Sequence, residues 1–63
     1  MDWKEWIGKR IFVQLKSGGV YTGDVVDVDD VSKILIFITI IDKFNDKITF
    51  THSEILKIKE ENK

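Results

Sequence analysis

Hydrophobic and polar positions alternate along most of this chain. From Arg10 to Lys16, Ile11, Val13 and Leu15 interleave with Arg10, Gln14 and Lys16, and only Phe12 breaks the period of two. That pattern predicts a half-buried strand over residues 10–16. Ser17, Gly18 and Gly19 follow, residues that tolerate the positive φ of a tight hairpin, and VYTGDVVDV then predicts a second strand over 20–29. Gly23, in the middle of that strand, has no side chain and predicts a sharp bend or bulge where a sheet curls over. Strict alternation would set Asp24 on the face opposite Asp27 and Asp29.

The run from Ile34 to Ile41 is apolar on both faces, with Ile34, Ile36, Ile38 and Ile40 on one and Leu35, Phe37 and Ile41 on the other. It predicts a strand over about 33–42 that needs cover on two sides. FNDK supplies an Asn-Asp pair suited to a two-residue turn, KITFTH a fourth strand over 47–52, and ILKIK a fifth over 55–59. Before all of these, DWKEWIGK predicts one short α-helix over about 3–7. Asp2 stands at its N-cap, Glu5 completes a capping box, and Gly8 stops it. Trp3 and Trp6 share a face of that helix and are expected to cover the open end of a barrel. The fold class is therefore all-β: a short N-terminal α-helix, then a strongly bent, five-stranded antiparallel small barrel in one domain over 1–63.

Composition narrows what such a barrel can be. A chain of 63 residues buries only about 60% of its unfolded surface, so its core alone is marginal. With no cysteine there is neither a disulfide nor a zinc array to staple it, which leaves oligomerisation. A formal net charge of -1 builds no general basic footprint, so any nucleic-acid site must be local. ILIFITII is too short to span a bilayer and MDWKEW is no signal peptide, so the expected compartment is the cytoplasm, with no membrane partner.

One stretch is more specific. IGKRIFVQLKSGGVYTGDVVDVDD joins Ile-Gly-Lys, an alternating strand, a glycine turn, Tyr-x-Gly, and an Asp six residues after that Gly. It resembles the first motif of the Sm-like (LSm) family, in its small archaeal-type form, whose barrel belongs to the SH3-like class. On this resemblance Gly23 is the bend glycine and Asp29 the loop aspartate. The resemblance implies a homo-oligomeric ring of six or seven subunits, closed by pairing the fourth strand of one subunit with the fifth of the next. It also implies a ribonucleoprotein role, with short uridine-rich single-stranded RNA held at the inner rim by base stacking and edge hydrogen bonds. Carried across residue by residue, the RNA-binding positions are Asp29, Val31 at the stacking position, and Lys33 where the family has Asn. The family's Ile-Arg-Gly is here Phe50, Thr51 and His52, so Thr51 and His52 complete a divergent pocket. The alternative is a structural or protein-interaction ring that has lost RNA binding. A monomeric, duplex-binding barrel is the third reading, and the near-neutral charge argues against it.

Other chemistries find little support. Asp24, Asp27, Asp29 and Asp30 do not meet the D-x-D-x-D-G calcium template, because Asp27 and Asp29 fit its first two positions but Val31 stands at the third. No metal site and no cofactor is expected. His52 is the only histidine and no serine sits in a nucleophile-elbow pattern, so no catalytic residue and no small-molecule substrate is expected.

Overall fold

Five strands follow the order of the predicted ones. In the computed structural model, which describes residues 3–32 and 34–61, they are β1 (Arg10–Leu15), β2 (Val20–Asp29), β3 (Phe37–Ile41), β4 (Lys47–Thr51) and β5 (Ile55–Glu60). They form one antiparallel sheet in the order β4-β3-β2-β1-β5. Ile11, Val13, Val25, Val28, Ile38, Ile40 and Phe50 are all at most 4% exposed. A flat sheet leaves each face open, so this sheet must curl over its own inner face to bury them, as a small barrel-like fold does.

The turns show which local signals act. Leu15 and Val20 are bridged by a loop in which Gly18 takes φ +101, and Leu15 N–H donates to the Gly19 carbonyl at 2.8 Å. The link from β3 to β4 is longer than the two residues expected. It runs from Asp42 to Asp46, with Asn45 alone at positive φ (66°), because one oxygen of Asp42 accepts both the Phe44 and Asp46 N–H groups at 2.9 Å. A carboxylate that satisfies two loop donors favours the wider turn.

Three expectations are corrected. The N-terminal element is a 3-10 helix, Trp3–Trp6, not an α-helix; the proposed cap Asp2 lies outside the described residues. Four residues ended by Gly8 at φ +87 are too few to propagate α-helical bonds. Residues three apart eclipse in a 3-10 helix, and Trp3 and Trp6 do both pack against the core cluster. Second, β3 begins at Phe37 instead of about residue 33. Ser32 Oγ accepts the Ile34 and Leu35 N–H groups at 3.2 and 3.4 Å, which takes those donors away from a ladder and leaves Ile34 82% exposed. Third, β4 ends at Thr51, and His52 opens a second 3-10 helix, His52–Glu54.

A register shift also overturns the expected placing of the aspartates. Between Val25 and Asp27 the pairing of β2 with β3 slips by one residue, so Val25 and Val28 both point inward. Asp24, Asp27 and Asp29 then pair with Ile41, Thr39 and Phe37 and lie together on the outer face. One extra residue reverses the phase of everything that follows it.

Candidate nucleic-acid interface

The loops after β2 and after β4 meet at one end of the sheet. Asp29 and Thr51 are both register partners of Phe37, so the row Asp29–Phe37–Thr51 crosses three strands on one face. Just beyond it His52 N–H donates to the Ile36 carbonyl at 2.8 Å, and Ile36 N–H donates to His52 Nδ1 at 3.1 Å. This reciprocal pair fastens the two loops into a single rim.

Of the five residues expected at the RNA site, four are described. Asp29 is exposed at the end of β2, and its Oδ1 accepts the Val31 N–H at 3.1 Å. Val31 is 91% exposed, an aliphatic side chain projecting from the loop. Thr51 is turned toward the residues that follow it: its N–H and its hydroxyl donate to Glu54 Oε1 at 2.8 and 3.0 Å. The His52 ring is half-buried, with Nδ1 used by Ile36 and its plane tilted 60° against Trp3 at a centroid distance of 5.9 Å. Lys33 lies outside the described residues.

The electrostatics of the rim are mixed. Glu54 sits below the ordinary carboxylate value of 4.5, because the Thr51 N–H and then the Thr51 hydroxyl stabilise its charged form. Asp30 is 3.4 Å from Lys4 Nζ, and Asp24 is 3.4 Å from Arg10 Nε. Arg10 is therefore committed to Asp24 in the middle of β2, away from Asp29. A base edge that carries N–H donors suits the exposed carboxylate of Asp29, whereas a phosphate does not.

The pattern reading missed Phe37 as a site residue. It is 40% exposed and stands between Asp29 and Thr51, where a ring offers the flat apolar surface that Val31 lacks. Its parity was legible, since it alternates with buried Ile38 and Ile40, but a residue assigned to a doubly covered strand does not read as exposed. A groove of about 430 Å³ lies elsewhere, lined in part by Arg10, Tyr21, Lys43 and Phe44, and it contains none of the rim residues.

Among the described residues no three His, Cys, Asp or Glu side chains are grouped to hold a metal ion, and no helix is long and apolar enough to cross a membrane. Compared with protein-family models, curated proteins and solved structures, the chain matches none.

Proposed function

We propose that this chain is a ring-forming Sm-like protein that binds single-stranded, uridine-rich RNA at the rim between the loops after β2 and β4. It is a binding protein and not an enzyme, and it works in the cytoplasm as part of a ribonucleoprotein. The observation that carries the reading is the row Asp29–Phe37–Thr51, which sets a carboxylate beside an exposed aromatic ring at the junction of two loops. Phe37 stacks on a base, and Asp29 accepts a hydrogen bond from an edge N–H such as that of uracil. Edge geometry supports the ring. With β4 and β5 at opposite ends of the sheet order, each presents an unpaired backbone edge, and a β4-to-β5 contact between copies is heterologous and must close or run on.

The outer-face carboxylates Asp24, Asp27 and Asp29 favour a second reading, a ring kept for assembly with proteins, since they repel a phosphate backbone. Titration of labelled oligouridine and oligoadenine at two salt concentrations, into protein whose mass has been measured by sedimentation, decides between them. Saturable binding that prefers uridine supports the RNA reading. An intact ring that binds neither oligomer overturns it in favour of the assembly reading, and a monomer removes both.

A further inference from the structure

The contact between His52 and Ile36 gives the histidine a task different from touching RNA. We propose that His52 is the positioning residue of the rim: its Nδ1 holds the loop between β2 and β3 in place, so the order of that loop follows the protonation state of the imidazole.

Three observations build the argument. First, Nδ1 receives a backbone N–H, so it bears a lone pair and the imidazole is neutral with its proton on Nε2. Protonation at Nδ1 would set a donor against a donor, and the bond is lost. Second, among the described residues of the loop the other hydrogen bonds are local, from Val31 N–H to Asp29 and from Ile34 and Leu35 N–H to Ser32, and the Lys4–Asp30 pair is exposed and contributes little. Third, the ring is not free to turn away from a lost partner, because Trp3 lies against it and the His52 N–H still binds the Ile36 carbonyl. A protonated ring therefore stays in place and pushes the Ile36 amide, loosening Ile34, Leu35 and Ile36 ahead of β3 without detaching the strand.

Among the described residues, the charged groups on the elements around the ring are Lys4 and Glu5 on the N-terminal 3-10 helix, Asp29 and Asp30 at the end of β2, and Glu54 on the second 3-10 helix. Glu54 is held ionised by Thr51. Work between about pH 5.5 and 8 spans imidazole titration and stays above the range where carboxylates titrate as a class.

The test uses the whole chain with its single histidine. Amide NMR spectra of 15N-labelled protein are followed from pH 8 to 5.5 for the wild type, His52→Asn and His52→Ala. Asn carries its carbonyl oxygen on Cγ, where His carries Nδ1, so it keeps the acceptor but cannot titrate. The expected result is a single titration shared by the Ile36 amide and the loop amides of the wild type. His52→Asn resembles the high-pH wild type at every pH, and His52→Ala resembles the low-pH wild type. An Ile36 amide that does not move with pH, or an Asn variant that behaves like the Ala variant, overturns the proposal. The functional consequence rests on the RNA reading above and is measured separately. Oligouridine affinity is lower at pH 5.5 than at pH 8 in the wild type, by at most about fivefold since one ordinary hydrogen bond is lost, and stays level in His52→Asn. Absence of oligouridine binding at both pH values overturns the RNA reading, while the NMR arm still decides the role of His52.

Discussion

Gly23 lies so close to Ile41 that a Cβ added to it would stand 2.5 Å from the Ile41 carbonyl oxygen. Glycine at this position is thus a demand of the fold: β2 and β3 approach here more closely than any side chain permits. Gly23→Ala should cost about 3 kcal/mol, toward the upper part of the overpacking range, because the obstruction is backbone and cannot rotate away. Gly18→Ala meets open space and has only its φ of +101 against it, so about 1 kcal/mol is expected. Urea denaturation of the two variants beside the wild type measures the difference, and equal midpoints would contradict it.

Ile38 and Ile34 differ in their surroundings far more than in their chemistry. Ile38 is 0% exposed at the centre of β3, whereas Ile34 is 82% exposed in the loop before it. Ile38→Ala should cost about 2–5 kcal/mol. A domain this small holds roughly 3–5 kcal/mol from its core, so that variant is expected to be largely unfolded at 25 °C by circular dichroism. Ile34→Ala should leave the melting curve of the chain unchanged.

Glu54 makes the second 3-10 helix sensitive to acid. Its carboxyl lies below 4.5 in the folded state through the Thr51 N–H and hydroxyl, and returns to the ordinary value on unfolding. A depressed carboxyl contributes stability that is complete above about pH 4.5 and is lost as pH falls through the lower folded value. Denaturation midpoints between pH 6 and 3 should therefore fall less steeply for Glu54→Gln than for the wild type. Superimposable pH profiles would remove this role.

Leu56 is 62% exposed on β5, an edge strand whose pairing with β1 shifts register beside it. If copies pair through their edges, Leu56→Glu sets a charge in that contact while leaving the inner face of the barrel untouched. Sedimentation should show the wild type at six or seven times the monomer mass and the variant as a folded monomer. A variant that sediments with the wild type would show that this edge is not the contact.

Much of the architecture was readable from local pattern. Apolar pattern located all five strands, Gly18 marked the hairpin turn, and Trp3 with Trp6 marked a face that packs on the core. Local pattern went wrong wherever a distant partner or a single extra residue intervened. The slip between Val25 and Asp27 turned Asp24 to the same face as Asp27 and Asp29. At Ile34 and Leu35 an apolar run looked like strand, yet their donors bond to Ser32.

By itself, then, the sequence determined the order of the five strands, because side-chain period, glycine φ and apolar spacing act over a few neighbouring residues. It also supplied Asp29 as a candidate contact. Only the tertiary structure decided that Phe37 stands between Asp29 and Thr51, and that the lone histidine fastens one loop to another. The Ile36–His52 hydrogen bond spans sixteen positions of chain. Whether such a bond forms depends on where the curled sheet brings its ends, which no local periodicity encodes.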